Sequence, residues 1–97
     1  MTETTLTQAE ELLVDSILKL KKRSDLKDFL TDLLTPEEML DLGQRLRIAK
    51  LILKGKTYEY ITEKVSVSTT TVSKVAQALK HGEGGLEKAL EGKRGDA

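Results

Sequence analysis

Apolar residues recur every three or four positions along most of the 97-residue chain, which is the period of helices that bury one face. The first such segment, residues 8–22, is predicted to be a helix. Its end carries Lys21, Lys22 and Arg23, where cations suit the negative pole of the helix dipole, although they could also bind phosphate. Ser24 is the expected N-cap of a second helix. The apolar positions of that second helix are Leu26, Phe29, Leu30 and Leu33.

A third helix is indicated by the run Thr35-Pro36-Glu37-Glu38, in which Thr35 and Glu38 fit a capping box and proline fits the first helical position. The helix should extend to about Lys54, with Gly55 ending it. Its principal apolar line is Met39, Leu42, Leu46, Ala49 and Leu53, and other faces carry Leu40, Ile48, Leu51 and Ile52. A helix this widely apolar must be covered on two sides, and in so short a chain a second subunit is the expected cover.

Residues 57–80 allow two interpretations. Taken alone, the stretch 65–75 alternates like a strand and is rich in valine and threonine. The wider pattern favours two helices around the turn at Ser66 and Val67, capped by Thr57 and Ser68. The buried positions would be Ile61, Val65, Val72, Val75 and Leu79. This is a helix-turn-helix pattern, with serine at the turn position where glycine is commonest.

The exposed positions of the second of these helices suit DNA. Hydroxyl and methyl groups can contact base edges, which predicts base contacts by Thr69, Thr70 and Thr71. Hydroxyl and ammonium groups suit phosphate oxygens, which predicts phosphate contacts by Ser73, Lys74, Lys54 and Lys56. For Tyr58 and Tyr60, phosphate contact and packing on the core fit equally well.

Charge is balanced overall but unevenly distributed. The net charge is −5 over residues 1–41, +6 over residues 42–80 and −1 over residues 81–97. This asymmetry indicates a basic face suited to nucleic acid, although chance clustering on surface helices gives the same pattern.

Composition excludes several other classes of function. The chain has no cysteine, so thiolate metal sites and cysteine nucleophiles are excluded, and its single histidine, His81, argues against a histidine-based triad or a multi-histidine metal centre. The glycine-rich residues 82–85 lack the ending of a phosphate-binding loop. No apolar run approaches the roughly 18 residues that span a bilayer. We therefore expect a cytoplasmic protein that is not an enzyme and has no metal or cofactor.

Several segments in order resemble the Trp repressor family: 34–38, 42–48, 53–55 and 57–80. Within that family, the segments 55–58, 68–75 and 80–85 are most similar to the YerC/YecD branch. The resemblance implies an all-α, intertwined homodimer with two reading helices about 34 Å apart, and it adds Arg45 as a phosphate contact.

On this basis residues 1–90 form one helical domain and residues 91–97 a disordered tail. The domain would comprise dimerisation helices over 8–54, the helix-turn-helix over 57–80 and a short C-terminal helix over 85–90.

The resemblance also places the co-repressor site of the family on this chain. The matching positions are Thr35, Arg45, Lys74, Val75 and Ala78. Lys74 stands where the Trp repressor has a second arginine, Val75 where it has a glycine and Ala78 where it has a serine. A lysine stacks poorly on an indole, and valine methyls intrude on its space. The sequence therefore predicts a regulator that does not respond to tryptophan, and it identifies no other effector.

A second class of function is a helical protein–protein interaction module in which the helix-turn-helix of each subunit, its reading head, no longer binds DNA. The zero net charge keeps this alternative open, since many DNA-binding domains are strongly basic. Steep salt dependence with duplex DNA would favour the regulator. Salt-sensitive binding to an acidic protein alone would favour the module.

Overall fold

All regular structure within residues 6–91, the part of the chain that the computed structural model describes, is helical. The helices are α1 (Gln8–Lys19), α2 (Arg23–Leu33), α3 (Pro36–Leu53), α4 (Tyr58–Val65), α5 (Thr69–His81) and α6 (Gly85–Glu91). They form two compact units, the first ending at Met39 and the second beginning at Leu40. Of the predicted tail, Glu91 ends α6 and residues 92–97 lie outside the described residues.

The first unit begins with a reciprocal cap on α1. The Glu10 backbone N–H donates to Thr7 Oγ1 at 3.1 Å, and the Thr7 N–H donates to Glu10 Oε1 at 2.9 Å. Neither α1 nor α2 contains a buried residue, and Leu12 and Leu18 of α1 are 67% and 72% exposed. Within a single chain, the apolar residues of these helices therefore have no core of their own.

The junction of α1 and α2 differs from the sequence prediction. Helix α1 ends at Lys19 because Leu20 is extended, with its N–H bonded three residues back to the Ile17 carbonyl. Lys22 is then the N-cap of α2 and Arg23 its first residue. The prediction that Lys21 to Arg23 end the first helix is wrong. Ser24 is likewise inside α2, and its predicted N-cap role is wrong.

Helix α3 begins as predicted. The Glu38 N–H donates to Thr35 Oγ1 at 3.1 Å, and the Thr35 N–H donates to Glu38 Oε1 at 2.9 Å. After Leu53 the chain turns at Gly55, whose φ of +82° lies in the left-handed region that glycine adopts without strain. The turn is closed by the Lys56 N–H, which donates to the Leu51 carbonyl at 3.1 Å.

The core of the second unit takes two residues from each of three helices. They are Ile48 and Ala49 of α3, Ile61 and Val65 of α4, and Val72 and Val75 of α5. Ile48, which lies outside the predicted principal apolar line of α3, is fully buried, whereas Leu42 and Leu46 of that line are exposed in a single chain. The cause is that α3 is apolar on several faces, and the core residues of α4 and α5 pack on the face that carries Ile48.

Helices α4 and α5 form the helix-turn-helix, and the strand interpretation of residues 65–75 is wrong. Thr57 Oγ1 accepts the Tyr60 N–H at 3.0 Å, and Ser68 Oγ accepts the Thr71 N–H at 3.2 Å, so both predicted caps are confirmed. Ser66 adopts the left-handed conformation, φ 61° and ψ 53°. The half-buried Val67 follows it and packs against the core.

Candidate nucleic-acid interface

A recess lined by side chains that carry hydrogen-bonding groups opens on the exposed side of the helix-turn-helix. Its volume is about 410 Å³, and it is lined by Tyr58 at the start of α4 and by Thr69, Thr70, Ser73, Lys74 and Gln77 of α5. Every lining side chain carries a hydrogen-bonding group, and none is acidic. Hydroxyl, amide and ammonium groups match the base edges and phosphate oxygens of DNA, so the recess suits an anionic, hydrogen-bonding partner.

The recess brings together Thr69, Thr70, Ser73 and Lys74 from the predicted contact set. The structure places Thr71 elsewhere, although it is the next residue on α5. Thr71 is half-buried and lines a separate apolar cavity, and its Oγ1 lies 3.1 Å from Ser68 Oγ. The first two threonines of α5 therefore line the recess, and the hydroxyl of the third lies beside the Ser68 cap at the start of the helix.

Two lining residues go beyond the sequence-based set. Tyr58, which the sequence left between phosphate contact and packing, is 43% exposed in the recess. Sequence reasoning missed Gln77, which is also exposed. Its spacing was the available signal, because it lies four residues after Ser73 and seven after Thr70, on the same helical face.

Lys54 and Lys56 lie outside the recess, at the exposed turn between α3 and α4. Lys56 Nζ lies 5.1 Å from the centroid of the Tyr60 ring, a distance at which the cation and the ring attract. Tyr60 therefore contacts a cation of the candidate interface and lies outside the buried core.

An apolar cavity of about 920 Å³ adjoins the other side of α5. Four of the five positions matched to the co-repressor site line it, namely Arg45, Lys74, Val75 and Ala78. Val75 is only 6% exposed and belongs to the buried core. Thr35 belongs to the first unit, where its hydroxyl caps α3.

The rim of this cavity contains leucines that one chain leaves exposed. Leu40 is 63% exposed, and Leu42 and Leu46 are also exposed.

No helix of residues 6–91 is long and apolar enough to cross a membrane. Over the same residues, no three histidine or acidic side chains gather as a metal site would require.

Comparison with known proteins agrees with this geometry. The family model described as "Trp repressor protein" matches residues 8–94. The uncharacterized protein YerC of Bacillus subtilis (strain 168) is 38% identical over 79 residues, which cover 81% of this chain and 76% of YerC.

Two crystal structures superimpose closely on the chain. A TrpR-like protein from Eubacterium eligens ATCC 27750 gives a TM-score of 0.82 at 40% identity, covering 88% of each chain. A candidate Trp repressor from Staphylococcus aureus gives a TM-score of 0.82 at 36% identity, covering 89% of this chain and 86% of that one.

Proposed function

Because the chain belongs to the Trp repressor protein family, whose members are DNA-binding regulators and not enzymes, we propose that it is a sequence-specific repressor. It acts as a homodimer on double-stranded DNA in the cytoplasm, through α4 and α5, without responding to tryptophan. The observation that carries this proposal is the recess along α5, whose lining side chains all carry hydrogen-bonding groups and include no acidic residue.

Base reading is assigned to Thr69 and Thr70. They are the first two residues of α5, both are exposed, and both line the recess. The N-terminal residues of a recognition helix are those that reach base edges in the major groove. Threonine offers a hydroxyl for a base edge and a methyl group for thymine.

Phosphate binding is assigned to the polar and basic residues around that point. Ser73 and Lys74 lie within the recess, and Lys54 and Lys56 flank the start of α4. Arg45 is exposed on α3 and is added from the family resemblance. Such contacts supply affinity and register without reading sequence, and they make binding depend on salt.

Exposed apolar residues support the homodimer. The first unit has no buried residue in α1 or α2, and Leu40, Leu42 and Leu46 remain exposed in the second unit. A soluble chain rarely leaves so much apolar surface uncovered. A second copy of the chain would bury these apolar residues in both units. It would also supply the two reading heads that a near-palindromic site requires.

Tryptophan at concentrations up to the millimolar range is expected to leave the DNA affinity unchanged within about twofold. Lys74 replaces an aromatic-stacking arginine, and the buried Val75 occupies the space of a glycine. Fluorescence anisotropy of a labelled duplex, with and without tryptophan, measures this. Leucine at the same concentrations is the control, and tighter binding with tryptophan alone would contradict the assignment.

Lys74→Ala is expected to weaken binding to all duplexes about equally. It should also reduce the salt slope, the steepness with which the logarithm of the binding constant falls with the logarithm of the salt concentration, by about 0.9 for each reading head that contacts DNA. The reason is the loss of one phosphate contact from the recess. Titrations at several salt concentrations measure the slope. Lys88→Ala, which removes the same charge from α6, should leave the slope unchanged. A loss confined to one base position would show that Lys74 reads bases instead.

A titration of the wild-type protein against duplex DNA tests the function itself. We expect affinity to fall steeply as salt rises, because binding releases counterions from the phosphates. The second candidate, a protein-interaction module, rests on the same basic surface and the zero net charge. It would be favoured if the protein bound no duplex at any salt concentration and bound an acidic protein in a salt-sensitive manner.

A further inference from the structure

Three basic side chains of the second unit lie outside the recess, two on α3 and the third on the residue that directly follows it. Arg47, Lys50 and Lys54 are spaced by three and four residues, and all three are exposed. Lys54 continues the helical turn, since its N–H bonds to the Lys50 carbonyl at 3.1 Å. No acidic residue stands three or four positions from any of them. Like charges at this spacing repel one another, so the face favours a polyanionic partner.

A side-chain amide ties this basic face to the helix-turn-helix. Gln44 Nε2 donates to the Val65 carbonyl oxygen at 3.4 Å, and Gln44 Oε1 accepts from Arg47 Nη1 at 3.2 Å. Val65 ends α4, where carbonyl groups have no partner within the helix. The bridge therefore fixes the Arg47 guanidinium relative to the turn that precedes the reading helix.

From this bridge we infer that Arg47 and Lys50 are further phosphate contacts, which continue a track that starts at Lys54. Gln44 is a positioning residue that orients Arg47 toward the DNA backbone. A guanidinium that donates one bond to Gln44 keeps its other N–H groups for phosphate oxygens. The inference rests on the proposed function, and it extends the interface from α4 and α5 onto α3.

Arg47→Ala tests the phosphate contact in the full-length protein. The affinity for a labelled duplex is measured at several salt concentrations from about 0.05 to 0.4 M. We expect the salt slope to fall by about 0.9 per reading head. At a salt concentration near 0.15 M, the binding constant per head should fall about fivefold for every duplex sequence. Lys88→Ala is the charge-matched control. An unchanged slope in Arg47→Ala, with wild-type DNA binding intact, overturns the inference and leaves the proposed function standing.

A double-mutant cycle tests the role of Gln44. Gln44→Met keeps the length and the charge of the side chain but removes both hydrogen bonds, so we expect binding about two- to threefold weaker. In the Arg47→Ala background the same change should have no effect, because Gln44 acts through Arg47. Equal losses in both backgrounds would overturn the positioning role.

Two further variants distinguish the proposed contacts from a general loss of structure. Arg47→Lys should keep the salt slope but should not respond to Gln44→Met, since its single ammonium lacks the guanidinium fork. Gln44→Glu should lower the slope, because its carboxylate engages the guanidinium. Thermal unfolding of each variant is followed by circular dichroism. A wild-type protein that binds no duplex would overturn the proposed function, an outcome distinct from every result above.

Discussion

Thr70→Asp is expected to weaken specific duplex binding by about 100-fold or more while the protein remains folded. Thr70 is the second residue of α5, exposed in the recess, and a carboxylate there would repel phosphates and remove a base contact. A loss of about 1.4 kcal/mol in each of two heads corresponds to this factor. Titration of a selected duplex measures the affinity.

The fold should tolerate this change because an acidic side chain in the first turn of a helix interacts favourably with the positive end of the helix dipole. Helix α5 has no acidic residue in that turn. Thermal unfolding should therefore match the wild type or occur at a slightly higher temperature. Thr70→Asn, polar but uncharged, should lose less affinity than Thr70→Asp. Full affinity in Thr70→Asp would show that α5 does not enter the major groove.

Leu18→Glu is expected to weaken the homodimer by more than about 100-fold and to abolish operator binding with it. At 100° per residue, the apolar positions of α1 spread over about 240° of its circumference, and Leu18 is 72% exposed in one chain. Burying a leucine contributes about 1.5–3 kcal/mol, and a twofold dimer loses it from both copies. Sedimentation equilibrium measures the mass, which should fall from twice 10.8 kDa to 10.8 kDa.

Gln8→Glu is the matched control for this variant. It adds the same charge to α1, at an exposed polar position in the first turn. The control should remain dimeric at micromolar concentration. If the wild type is monomeric, or if Leu18→Glu dimerises like the wild type, then a second copy does not cover α1.

Local signals in the sequence were sufficient for much of the fold. The caps at Thr35, Thr57 and Ser68 each depend on residues only three positions apart, so the sequence contains all the information they need. The buried residues of α4 and α5 follow from helical spacing, since each of these helices has one narrow apolar face. The helix-turn-helix was predictable for these reasons.

Other features depend on packing between distant residues, and the sequence could not determine them. Helix α3 is apolar on several faces, so only the packed structure shows that Ile48 is buried and Leu42 is not. Adjacent residues of a helix point about 100° apart, and the packing of α5 therefore decides that Thr71 leaves the recess. The Gln44 bridge joins residues 21 positions apart, which no local pattern reveals.

Selection of bound duplexes from a random DNA pool, at about 150 mM salt and without added ligand, tests the central claim most directly. A ligand-independent dimeric regulator should enrich a near-palindrome whose half-sites lie about one helical turn apart. Thr70→Asp, selected in parallel, should fail to enrich that site. Recovery of no enriched sequence by the wild-type protein, with and without amino acids and cell extract, would contradict the assignment of this chain as a sequence-specific DNA-binding regulator.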